Sequence, residues 1–309
     1  MLGEIGPPLQ QTLKTVIGCR GVGLHSGKKV SMNLIPAPPA TGIIFRRTDI
    51  GAEIRANWEN AVESTRCTML SDGAGTIVGT VEHLMAALAG MGIDNLIIEI
   101  DGPEVPIMDG SAAPFVFLIE CAGIIEQDMP RRAIKVIKPV SIVAGGAMAA
   151  LYPDDEFSMS FEIDFDNPLV RRQRMNIAPD PSSFKSEISR ARTFGFLHDV
   201  DRLRTAGLAR GGSLDNVIVV AGDQVLNSDG LRYSDEFVRH KLLDALGDLY
   251  LAGAPVIGRF RGVRSGHSHN RRLLEALFAD DDAWSACAPI PDVETASFTS
   301  RDEALLVSA

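Results

Sequence analysis

The run Glu156–Phe165, EFSMSFEIDF, alternates without a break. Phe157, Met159, Phe161, Ile163 and Phe165 fall on one face, and Ser158, Ser160, Glu162 and Asp164 on the other. Period-two alternation of this kind predicts a half-buried strand. Such a strand needs a sheet with one wet face and an apolar layer against the other, which narrows the architecture to sheets backed by helices or by further sheets. A second alternation, KKVSMNLIPA, sends Val30, Met32 and Leu34 one way, and DNLIIEID, NVIVVAG and APVIGRFRG read as shorter apolar strands.

Helical segments lie between them. GTVEHLMAALAGMG is rich in good helix formers, with Thr80 as its expected N-cap and an end around Gly90 and Gly92. SAAPFVFLIECAGI takes Ser111 as a cap and Pro114 within its first turn. PSSFKSEISRA, RHKLLDALGDLY and the second half of SGHSHNRRLLEALFAD complete the set. The apolar pattern breaks at EQDMPRRAIK, which predicts a boundary near Met129–Arg131 and two α+β domains, 1–129 and 130–309, each a sheet layered with helices.

At 309 residues each half can bury its own core, and the 45% apolar and 23% charged fractions are those of a globular protein. No apolar run approaches the ~18–20 residues that span a bilayer. The N-terminal stretch lacks the plan of a signal peptide, so a cytoplasmic location is expected; a monomer is expected as well. A net charge of −10 argues against nucleic-acid binding. It leaves room for a small anion at a local basic cluster such as Arg239, Lys241, Arg264, Arg271 and Arg272. The four cysteines have no CxxC spacing and are expected as free thiols. Any metal must then take nitrogen and oxygen ligands.

Only six histidines are available. In RHKLLDALGDLY, His240, Asp244 and Asp248 recur every four residues and share one helix face, opposite Leu242, Leu243, Leu246, Leu249 and Tyr250. That face is either the wet side of an amphipathic helix or a pair of metal ligands. His83 follows Glu82 in an otherwise apolar helix. It is either a buried histidine bonded to a carbonyl or a ligand beside a general base. In SGHSHN, His267 and His269 have strand-like spacing and suggest a second ligand pair. A loop histidine acting as a cationic acid, oriented by Asp248, is the alternative preferred here.

Together, TVEHLMAALAGMGIDNLIIEI, VPIMDGSAAPF, SRARTFGF, DEFVRHKLLDALGDLYLAG and SGHSHN, with GVGLHSGKKV and TGIIFRRTD nearer the start, closely resemble the UDP-3-O-acyl-N-acetylglucosamine deacetylase family. The resemblance implies a Zn2+ amidase of lipid A biosynthesis, acting on an acylated UDP-N-acetylglucosamine, with its site between two α+β domains. By the same resemblance His83, His240 and Asp244 match the zinc ligands and Glu82 the general base. His267 matches the general acid, with Asp248 orienting it. Thr193 matches a hydroxyl that steadies the oxyanion, and Lys241 a contact to the polar headgroup. Phe194 would border the acyl-chain passage, shaped by an insert near 193–219, and Phe165 would stack on uracil unless it is the last core residue of its strand. Two departures stand out. His269 replaces a less polar residue and would either be exposed, the favoured reading, or add a headgroup contact. NPLVRRQR, which contains Arg171–Arg174, is more basic than the family pattern and would be a surface loop or an extra phosphate contact.

Overall fold

The alternating run forms the strand Phe157–Asp164 in a computed structural model that describes residues 8–64 and 66–287. Met159, Phe161 and Ile163 are buried, as the alternation requires, while Ser158, Ser160 and Glu162 stay half-buried. The strand runs parallel to Val256–Val263 and antiparallel to Arg172–Ile177. Val256–Val263 in turn lies antiparallel to Ala147–Tyr152, so it is the axis of a seven-stranded sheet completed by Val140–Ala144, Ile134–Val136 and Trp284–Ala286. Phe165 departs from the expected last core position. It lies beyond the strand end and is 36% exposed, because the backbone turns there into the Asn167–Arg171 loop.

A five-stranded sheet occupies the earlier part of the chain, in the order Ile17–Val22, Lys29–Pro36, Leu96–Ile100, Ile43–Arg47, Ala52–Arg55. Val30, Met32 and Leu34 are buried on its inner face. Most pairings are antiparallel, with Ile43–Arg47 against Leu96–Ile100 a parallel exception. Leu9–Leu13 and Ile124–Pro130 form a separate antiparallel ribbon. The architecture is α+β, with sheets and helices in layers rather than in a regular βαβ wind.

The helices are α1 (Glu82–Met91), α2 (Ala113–Ala122), α3 (Pro181–Ser183), α4 (Leu197–Thr205), α5 (Glu236–Tyr250) and α6 (His267–Phe278). Thr80 is not the cap of α1: Val81 takes that position, and the Thr80 hydroxyl instead donates to Glu104 Oε1 at 2.9 Å. Gly92, with φ of 75°, closes α1 in the left-handed conformation that glycine adopts without Cβ strain. Ala112 rather than Ser111 precedes α2, although the Ser111 hydroxyl still accepts from Ala113 N. PSSFKSEISRA is a short turn of α-helix that runs on into a π-turn over Phe184–Ile188. The SGHSHN segment differs most, since α6 begins at His267, with Gly266 as an extended N-cap.

Helices α1 and α5 form the central seam. Leu84, Leu88, Leu242, Leu243, Leu246 and Leu249 are all buried in one continuous core there. Gly247 sets how near the helices come. A Cβ at that position would lie 2.0 Å from the Glu82 carbonyl oxygen, so any larger residue must push the helices apart. No helix among the described residues is long and apolar enough to cross a membrane. The four cysteines are free thiols.

Candidate active site

The close α1–α5 approach faces the first turn of α1 onto the middle of α5. His83, His240 and Asp244 each contribute one donor atom to a cluster in which all three atoms lie within 4.8 Å of one another. Nε2 of His240 is 3.3 Å from Asp244 Oδ1, and Nε2 of His83 is 3.6 Å from the same oxygen. His240 Nδ1 lies 3.0 Å from the Ala191 carbonyl, which only accepts, so Nδ1 carries the proton and the Nε2 lone pair points into the cluster. All three residues are buried. Distances of 3.3 and 3.6 Å are too long for good hydrogen bonds but are natural for donors arranged round a common centre. Two imidazoles and a carboxylate suit a divalent transition metal, and the set fits a three-ligand site of that kind.

Two further groups flank the cluster. His267, at the first position of α6, donates from Nδ1 to Asp248 Oδ2 at 2.8 Å. Its Nε2 faces Glu82 Oε1 at 3.8 Å and Asp244 Oδ2 at 3.9 Å. Burial alone would lower this imidazole, but Asp248, Glu82 and Asp244 outweigh it and raise its pKa to about 9. Burial pushes the Glu82 carboxyl above its usual range, only partly opposed by His267 and His83. Burial likewise holds His240 down, at about 4, as a neutral imidazole. Lys241 donates to Asp244 Oδ2 at 2.8 Å, and that carboxylate lifts its pKa against the effect of burial.

These residues line one cavity of about 410 Å³. Thr193 borders it, held by backbone bonds from its own N–H to Gly110 and from Ile218 N–H to its carbonyl. The ring of Phe194 stands edge-on to His240 at 6.3 Å and to Phe165 at 5.8 Å. Phe165, Phe194 and Phe196 thus form an aromatic wall, with Leu203 and Val217 beside it. A small sheet, Phe194–Phe196 with Ile218–Ala221 and Gln224–Val225, carries much of that wall. All ten site residues expected from the sequence therefore lie in this cavity or directly behind it.

The structure bears on three readings. His269 is half-buried at the cavity rim, with Nε2 3.3 Å from the Ala144 carbonyl, rather than exposed. The candidate basic cluster does not converge, as expected of solvated surface charge: Arg239 pairs with Asp235 and Arg271 with Glu63 and Glu275, and of the cluster only Lys241 lines this cavity. In the basic run, Arg172 pairs with Glu162 on the sheet. Sequence reasoning also missed Thr68, Asn270 and His25. Thr68 and Asn270 both donate to Asp248, and His25 lines the cavity. Thr68, 180 positions from Asp248, carries no spacing signal, whereas Asn270 closes the SGHSHN motif and His25 sits within GVGLHSGKKV.

By fold and donor set, the chain is an α+β protein with a buried His–His–Asp group that could hold a metal ion, beside a facing carboxylate and imidazole. The sequence profile of the UDP-3-O-acyl N-acetylglycosamine deacetylase (LpxC) family matches residues 10–279, and the chain belongs to that family. It is 53% identical over 279 residues to the UDP-3-O-acyl-N-acetylglucosamine deacetylase of Acidithiobacillus ferrooxidans, covering 89% of this chain and 91% of the relative. The protein of the same name from Chromohalobacter salexigens is 50% identical over 300 residues, covering 96% and 99%. That from Marinobacter nauticus is 53% identical over 279 residues, covering 89% and 91%.

Proposed function

We propose that this chain removes the N-acetyl group from UDP-3-O-(3-hydroxyacyl)-N-acetylglucosamine, releasing acetate and the free amine, as a Zn2+-dependent step of lipid A biosynthesis. The observation that carries this reading is one cavity uniting His83, His240 and Asp244 with Glu82 and a carboxylate-bound His267. Membership of the deacetylase family supports the substrate. Held by His83, His240 and Asp244, zinc would act as a Lewis acid on the acetamide carbonyl and lower the pKa of a water toward ~7.

The chain's own groups supply the rest. Glu82, raised by burial, takes a proton from the attacking water through Oε1. Thr193 donates its hydroxyl to the carbonyl oxygen as negative charge develops there. His267 stays cationic through neutral pH and protonates the departing glucosamine nitrogen from Nε2, while Asp248 holds its Nδ1 proton. Lys241 meets the polar headgroup. Phe194 borders the acyl-chain passage, shaped by an insert near 193–219, and Phe165 stacks on uracil. In this reading the site lies between domains 1–129 and 130–309 of a cytoplasmic monomer. The two large sheets support that division, since one falls within 17–100 and the other within 134–286. Acetate release by purified protein tests the reading: Glu82→Gln and His83→Ala should abolish it, and near-normal release by either variant would sink the assignment.

A further inference from the structure

Thr68 touches both sides of the acid–base pair. It lies buried just before the strand Met69–Ser71, with its carbonyl accepting from Val81 N at 3.3 Å. Its own N–H donates to Glu82 Oε2 at 3.0 Å. Its hydroxyl oxygen lies 2.5 Å from Asp248 Oδ1 and 3.1 Å from His267 Nδ1. A hydroxyl has one hydrogen, and Asp248 offers only acceptors, so the Thr68 proton goes to Asp248. The Thr68 oxygen then accepts from His267 Nδ1–H, which is shared with Asp248 Oδ2.

We infer that Thr68 is a positioning residue for both proton-handling groups, an inference that rests on the function proposed above. Its amide occupies Oε2 of Glu82 and leaves Oε1 as the oxygen turned toward His267 Nε2. Its hydroxyl fixes one oxygen of Asp248, so the other meets the imidazole squarely and keeps the exchangeable site at Nε2. Asn270, which donates to Asp248 Oδ2 at 2.8 Å, braces the same carboxylate from α6. A single residue thereby ties the segment entering Met69–Ser71 to α1, α5 and α6 at the point where geometry matters to proton transfer.

The test compares Thr68→Ser, Thr68→Val and Thr68→Ala. Loss of an orienting partner of this kind costs about 10–100-fold, and both hydroxyl-free variants should lose kcat for acetate release by about that factor with KM unchanged. Thr68→Ser, which keeps the hydroxyl and drops the methyl, should restore kcat. In nitrogen-15 NMR of histidine-labelled protein, the His267 Nδ1 proton should shift and exchange faster in Thr68→Ala than in wild type. Wild-type kcat in the Val and Ala variants, a Ser variant as poor as Ala, or an unmoved Nδ1 proton would each overturn the inference. Failure of the wild type to release acetate would instead sink the proposed function, and the NMR comparison would still judge the positioning role.

Discussion

Glu82 and His267 face each other across 3.8 Å with opposite demands on their protons. In the proposed reaction Glu82 must be ionised as the base, and burial makes that harder; His267 must be charged as the acid, and three carboxylates make that easier. Activity should therefore rise as pH climbs past the elevated Glu82 value and fall as His267 loses its proton through about 9. A pH–rate profile checks this. His267→Gln should flatten the alkaline limb, and a variant that keeps the same limb would assign it elsewhere. Glu82→Gln removes the base without removing a metal ligand, so kcat should drop by about 10²–10⁴-fold while bound metal stays at the wild-type level. The four-residue spacing of His240 and Asp244 left a wet helix face and a ligand pair both open, and only His83 beside Glu82 and the family motifs singled out the ligand reading. Thr68 was not legible, because its partner Asp248 lies 180 positions away and threonine is common everywhere.

At the scale of elements, the close approach of α1 to α5 brings the polar first turn of an otherwise apolar helix onto the polar face of another. Gly247 permits it, and overpacking such a contact typically costs about 1–3 kcal/mol. Gly247→Ala should lower stability in urea by that order and cut activity further than the unfolded fraction explains, because Glu82 and His83 move off Asp244. Unchanged activity in the folded fraction would show that the seam tolerates the shift. The strand Phe157–Asp164 was legible because its alternation is long and one face is wet. The start of α6 was not: SGHSHN reads as a loop ahead of the helical half, whereas Gly266, in extended backbone, opens the helix at His267. Thr80 misled for a related reason. It has the chemistry of an N-cap, but its hydroxyl is bound by Glu104 and its φ of 54° leaves the cap to Val81.

Across the whole molecule, sheets and helices pack about α1 and α5, and the cavity there is lined both by charged groups and by an aromatic wall. The proposed substrate carries both a charged nucleotide and an acyl chain. A substrate lacking its 3-O-acyl group should react much more slowly, which an acetate assay with paired substrates would show; equal rates would argue for a different acylated or unacylated sugar. The two-layer plan could be read from the alternation of strands and helices, but pairing order could not, since Val256–Val263 gathers neighbours from distant parts of the chain. The central claim is that the His83–His240–Asp244 group holds a zinc ion that the deacetylation needs. The most direct measurement follows acetate release from UDP-3-O-(3-hydroxyacyl)-N-acetylglucosamine before chelation, after it, and after zinc is restored, with metal analysis at each stage. The expected result is about one zinc per chain, with activity lost on chelation and regained with the metal. Full activity in metal-free protein would contradict the account.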